Sequence, residues 1–213
     1  MADVFREVEE SLREDRALAM AKRYGPIVAV VVVLVLAAVG GWTYWQSSSQ
    51  AQAEQRTAAL AEAIEQIGQD PASARQALAA VSEGQSDGPA MLARFYEAQI
   101  LINEENAAAA AEIYDGLAAD TSVDEVWRDL AAIRAAILLV GTADPAEMRG
   151  RLGPFIAETS PWRFTANELM ALVALRDGNQ DEAIGLLERL RDDVSAPLTL
   201  QERSRQLLDS LGQ

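Results

Sequence analysis

The sequence predicts an all-α protein: a single N-terminal transmembrane helix followed by a solenoid of helical hairpins. Three observations carry this. From Tyr24 to Ala53 no residue is charged. Beyond that run, Gly- and Pro-containing breaks recur, and nothing between them alternates with period two. Ala, the best helix former, supplies 40 of the 213 residues, against 13 Gly and 7 Pro.

Residues 1–23 read as a cytoplasmic amphipathic arm. Val4, Val8 and Leu12 fall at i, i+4 and i+8 with Phe5 beside them, and Glu9 and Arg13 form an i, i+4 pair in the favoured order. A solvated helix running into the apolar segment is favoured over a partner-contacting one.

Residues 24–46 read as the transmembrane helix. Pro26 to Trp45 is 20 residues, which as a helix spans roughly 30 Å, the thickness of a bilayer core. Ten of these are Val, Leu or Ile, among them Ile27, Val33 and Leu36. Together they favour insertion by about 3–6 kcal/mol. Pro26 sits at the start, where a missing N–H costs nothing. Trp42, Tyr44 and Trp45 gather at the far end, as an interfacial aromatic belt does. Five cations precede the segment and only Arg56 lies in the twenty residues after Trp45, which places the N-terminus in the cytoplasm and the C-terminal bulk outside. A buried core helix and a cleaved signal peptide ending near Ala51-Gln52-Ala53 are the competing readings. The run is too long and uniform for the first. The preceding region is too acidic, and the bulky aromatics too intrusive, for the second.

Residues 47–213 read as an extracytoplasmic helical domain, periplasmic in a bacterium. The breaks are Gly68 to Pro71, Gly84 to Pro89, Gly141 to Pro145 and Asp177-Gly178-Asn179. Each stops one helix and starts the next. The clearest unit, Asn167 to Leu190, puts Ala171 and Ala174 on a first helix, a Gly178-Asn179 turn after it, and Ala183 early in a second helix that continues through Leu187. This resembles a tetratricopeptide repeat, in which small residues sit where the two helices cross. Met91 to Leu117 repeats the pattern with Ala98, Ala110, Tyr114 and Leu117. Weaker echoes place Ala74 with Leu78, and Ala146. The alanines 74, 110, 146 and 183 are spaced 36, 36 and 37 residues apart, slightly more than the usual ~34. A helix over about Leu198 to Leu211 is expected to cap the stack, with Leu200, Leu207, Leu208 and Leu211 inward.

Composition excludes several chemistries. The chain has no Cys and no His, and Lys22 is its only lysine. It therefore lacks a thiol nucleophile, the commonest general base and the commonest transition-metal ligand. No catalytic residue, metal ligand or cofactor site is expected. The net charge of −15 argues against nucleic acid. What remains is protein contact. Phe95, Tyr96, Trp127, Trp162 and Arg163 are the candidate partner-binding residues: the aromatics to grip a partner segment from the inner curve of the array, and Arg163 to pair with a partner carboxylate. Filling gaps between hairpins is the favoured role for each aromatic, and that of a solvated cation for Arg163, while Trp162 after Pro161 is expected to be the most exposed.

Anchor and array together resemble the ancillary-subunit family of the bacterial Sec translocon. The residues that carry the likeness are Lys22-Arg23, Gly41-Trp42-Thr43-Tyr44-Trp45-Gln46-Ser47, and Ala93 to Leu117 followed by Ala118-Ala119-Asp120-Thr121-Ser122. The longer charged arm at 1–21 departs from the family. The resemblance implies a single-pass inner-membrane protein, non-enzymatic, whose partners are translocon subunits and a membrane-anchored periplasmic chaperone, with lipid contact through one helix. A cell-envelope or division scaffold of the same architecture is the alternative.

Overall fold

Four short polar side chains, Asp70, Asn106, Asp144 and Asn179, each open a helix by accepting from backbone N–H groups that the first turn leaves unpaired. Asp144 accepts from Ala146 at 2.8 Å and Glu147 at 3.2 Å, and Asp70 from Ala72 and Ser73, both at 3.2 Å. Pro71 and Pro145 follow the two aspartates at the first helical position, where a proline costs no hydrogen bond.

The computed structural model describes Val39, Trp42, Gln46 and residues 51–212. The chain divides into two compact units, residues 1–55 and 56–213. The described residues of the first unit are helical and exposed. The second unit begins with α1 (56–66). It continues through α2 (Pro71–Ser82), α3 (Gly88–Asn103), α4 (Ala107–Ala119), α5 (Glu125–Leu139) and α6 (Pro145–Leu152). A single 3₁₀ turn (Gly153–Phe155) then leads to α7 (Arg163–Arg176), α8 (Gln180–Asp192) and α9 (Leu198–Ser210). Among the described residues there is no strand. Four antiparallel hairpins, α1/α2 to α7/α8, stack in sequence, and α9 covers the last.

The core is a chain of four linked clusters rather than one centre. Ala63, Ala74 and Leu78 pack with Ala93 and Ile100 of α3. The other side of α3, through Ala98 and Leu101, packs with Ala110, Tyr114 and Leu117 of α4 and with Ala131 and Ala135 of α5. α5 turns Ile133 and Ala136 to Met148 and Leu152 of α6 and to Val173 of α7. Ala171, Leu186, Leu187 and Leu208 close the series. The helices α3, α5 and α7 are thus buried on two sides, one toward the preceding hairpin and one toward their own partner, as a solenoid requires.

The expected crossing alanines hold at 74, 110 and 183, all fully buried. Ala146 is exposed, and the expectation there is corrected. Counted from its cap, the position matching Ala74, Ala110 and Ala183 is four residues on, which after Asp144 is Met148, fully buried. The register slips by two because the loop between α5 and α6 (140–144) is two residues longer than the loops at 104–106 and 177–179. α6 has only 8 residues, and an unbranched Met fills the gap that the short helix leaves.

Two hairpins share one turn. Asn106 N–H donates to the Leu101 carbonyl at 2.8 Å and Asn179 N–H to the Ala174 carbonyl at 2.9 Å. The residue before each Asn is left-handed: Gly178 at φ 79° and Glu105 at φ 59°. A side chain in that region is strained, so Glu105 is a non-Gly residue in a glycine position.

The membrane expectation is overturned. Among the described residues no helix is long and apolar enough to cross a membrane. α3, with 16 residues, reaches about 24 Å against the ~30 Å required, and it carries Arg94 and Glu97. Of the expected span 24–46, Trp42 is helical and exposed, whereas Pro26, Ile27, Val33, Leu36, Tyr44 and Trp45 lie outside the described residues, as does the arm 1–23. Among the described residues the fold class is an all-α helical repeat, and no described helix is long and apolar enough to carry the single-pass inner-membrane localisation, the periplasmic placement of the domain or the lipid contact. The translocon and chaperone partnership, and the envelope or division scaffold, were read from that same anchor, and no helix among the described residues supports it.

Two predictions test the turn and the register. Glu105→Gly should stabilise by about 0.5–1 kcal/mol and Gly178→Ala destabilise by about 1 kcal/mol. That moves the thermal midpoint by about 2–4 °C in opposite directions, read by circular dichroism. Met148→Ala should cost about 2–5 kcal/mol in urea unfolding, while Ala146→Gln stays within about 0.5 kcal/mol.

Candidate functional site

With two sides of each first helix buried, a third stripe at i, i+3, i+4 and i+7 is left to face outward. On α3 it is Leu92, Phe95, Tyr96 and Gln99, and on α5 Leu130, Arg134 and Ile137. α7 offers Thr165 and Leu172 with the buried Glu168 and Leu169 beside them, and α9 offers Arg203, Gln206, Leu207 and Ser210. Neighbouring stripes enclose two pockets, and α5 lines both.

The α3–α5 pocket has a volume of about 240 Å³ and includes Tyr114 in its wall. It is smaller than the about 300–1,000 Å³ of small-molecule sites and suits one inserted side chain. Phe95 is its hub: the ring lies 5.5 Å from Tyr114 at 52° and 6.0 Å, edge-on, from Trp127. Such tilted pairs hold each other in place beyond their buried area. Leu92 (38 %), Tyr96 (37 %) and Trp127 (39 %) remain more than one-third exposed around it. Burial pushes the Tyr114 phenol above its ordinary range, and the nearby Arg134 pulls the other way. Burial also raises the Glu97 carboxyl on α3, opposed by Arg75 and Arg94.

The second pocket, about 620 Å³, lies between α5, α7 and α9, with Ile137, Leu169, Leu172 and Leu207 as its apolar lining. Its polar wall is a two-pronged pair: Arg203 donates to the two Glu168 oxygens at 2.7 and 2.6 Å. Glu168 is buried, so the pairing is what makes that carboxylate tolerable.

Of the five expected partner-binding residues, the structure brings three together. Phe95 and Tyr96 line the α3–α5 pocket and Trp127 leans on Phe95. Trp162 is half-buried against the α5–α6–α7 cluster, contrary to its expected exposure. Arg163 lies over the Phe164 ring at 4.0 Å and donates to Ser195 Oγ at 3.1 Å, in a separate pocket with Asn167, Leu190 and Asp193. Sequence reasoning missed Leu92, Leu130 and Arg134 in the first pocket and all of the second. The available signal was the i, i+3, i+4, i+7 spacing left over once the core alanines are assigned.

Asp120 fixes the loop that leads into α5. It accepts from Ser122 N–H at 3.1 Å, Ser122 Oγ, Ser86 Oγ at 2.9 Å and Arg94 Nη1 at 3.4 Å. Those bonds, led by Ser122, hold its carboxyl down to about 2. The same Asp-x-Ser turn returns at Asp193, where Ser195 N–H donates at 2.8 Å and the carboxyl is again lowered, chiefly by the Ser195 hydroxyl. Among the described residues no group of acidic side chains could hold a metal ion.

The family described as tetratricopeptide repeat-like domain matches the chain over residues 20–184. No curated protein and no solved structure matches it.

A depressed folded-state value means that Asp120 stabilises the fold above its ordinary 3.8, and that the contribution is lost as the pH falls through about 2. Asp120→Asn should therefore melt below the parent at pH 5, and the gap should narrow progressively between pH 4 and pH 2 in thermal scans.

Proposed function

The chain belongs to the tetratricopeptide repeat-like family, and from that premise we propose that it is a protein-docking module whose first-helix face receives a segment of a partner protein. It is not an enzyme: its family is non-catalytic, and its sequence holds neither Cys nor His. The single observation that carries the reading is the α3–α5 pocket, where Leu92, Tyr96 and Trp127 stay over one-third exposed around a fixed aromatic hub. Aromatic side chains at the centre of a desolvated pocket are the groups on which protein interfaces depend most. The acidic surface outside the pocket, 27 carboxylates against 13 arginines over residues 54–213, disfavours nucleic acid as the occupant. The finer resemblance to the ancillary translocon subunit adds nothing to this reading, because no comparison ties the chain to a translocon.

The test is quantitative affinity capture from cells producing the full chain, in parallel with Tyr96→Ala and Trp127→Ala. Partners that use this face should bind each variant at least tenfold more weakly, about 1.4 kcal/mol or more, with the thermal midpoint lowered by a few degrees for Trp127→Ala, which loses its Phe95 contact, and less for Tyr96→Ala. Equal recovery by all three proteins would move the docking function away from the α3–α5 pocket.

A further inference from the structure

Arg134 is the one charged side chain that lines the α3–α5 pocket. Among the described residues it forms no ion pair and no hydrogen bond. Other arginines of the stack are engaged: Arg94 of α3 with Asp120, Arg203 of α9 with Glu168. Carboxylates are twice as abundant as arginines in this part of the chain, yet none is placed against this guanidinium. Arg134 is exposed, so its five N–H donors are open to a partner at a pocket whose other walls are largely apolar.

We propose that this pocket selects an internal partner segment in which a bulky apolar side chain is accompanied by an Asp or Glu. The apolar group enters between Leu92, Phe95, Tyr96 and Leu130, and the carboxylate takes the Arg134 guanidinium. This rests on the docking function proposed above and specifies its ligand. A carboxylate fits because the planar fork of arginine binds it through two parallel, charge-assisted bonds. The charge comes from a side chain, not from a chain terminus, because the groove does not stop at Arg134. Ile137, three residues and about 4.5 Å further along α5, already lines the second pocket with Leu172 and Leu207. A segment seated at Arg134 has an apolar path to continue along. A polyanion is disfavoured by the surrounding acidic surface, whereas one carboxylate placed directly on the guanidinium is paired at a range that salt screens little.

The experiment is selection of displayed random peptides on the purified full-length chain. One library blocks the peptide C-terminus by fusion and the other leaves it free. Selected sequences are then made as synthetic peptides and titrated by fluorescence anisotropy. The fused library should yield binders with Asp or Glu beside a Leu, Ile, Phe or Trp. Arg134→Gln should weaken them about tenfold or more, and Arg134→Glu should shift a fresh selection toward Lys and Arg. Because Arg134 makes no internal bond, both variants should keep the parent's thermal midpoint. Binders that lose affinity with Tyr96→Ala but ignore both Arg134 variants would overturn the carboxylate preference and leave the docking function standing. Binders indifferent to Tyr96→Ala, or no binders from either library, would overturn both. Binders from the free-terminus library alone would overturn the assignment to an internal segment.

Discussion

Two helices can approach only as closely as the bulkiest side chain at their crossing permits, and this limit organises the whole repeat unit. Ala63 and Ala74 share one buried cluster, Ala98 and Ala110 the next. Ala171 and Ala183 are likewise fully buried in the last hairpin. Close crossing lets the first helix of each pair reach two neighbours at once, so α3, α5 and α7 each belong to two clusters. The α5/α6 hairpin meets the same limit differently: Ala136 keeps the small residue on one side and Met148 fills the space opposite. The outward stripes exist because the other sides are consumed in this way.

Arginine, not lysine, pins the stack. Arg56 pairs with Asp87 at 2.6 Å and Arg75 with Glu104 at 2.8 Å, each joining one hairpin to the next. Arg149 forks to Asp177 at 2.7 Å and Glu182 at 3.2 Å, and Arg151 to Asp115 at 2.6 Å and Glu147 at 2.8 Å. Arg176 donates to the Val140 and Ala143 carbonyls at the end of the preceding hairpin. An ammonium point charge serves such paired acceptors poorly, which gives a physical reason for a chain whose cations beyond Lys22 are all Arg. Half-exposed pairs of this kind contribute about 0–1 kcal/mol each. Their role is to fix how one hairpin sits on the next more than to hold the fold together.

The sequence showed the hairpins clearly because their punctuation is local. Asp70-Pro71 and Asp144-Pro145 announce helix starts, and Gly178-Asn179 a left-handed stop. The capping helix was expected at Leu198 and begins there. Glu105 hid the twin of the Gly178 turn, since nothing about a glutamate signals a positive φ. Ala146 misled because an alanine two residues from its slot preserves the apparent period while facing solvent. The pocket was half legible: aromatics draw attention, so Phe95, Tyr96 and Trp127 stood out. Leu92, Leu130 and Arg134 did not, because a helix buried on two sides shows no single apolar stripe against which an outward one can be recognised. Trp162 was misplaced for the opposite reason, as a loop tryptophan after proline reads as exposed until its packing against the α5–α6–α7 cluster is known. The apolar run at 24–46 gave the strongest periodicity-free signal in the chain, yet among the described residues no membrane-crossing helix answers to it.

α5 walls both pockets, and this has a mechanical consequence. A stack of hairpins that touch only their neighbours bends and winds like a spring, each joint adding a small rotation. A strand of partner laid from the Phe95 hub past Ile137 to Leu207 would lie across three successive joints, so any change in pitch would stretch or buckle it. The seated segment would act as a splint and set the curvature of the coil around its own length.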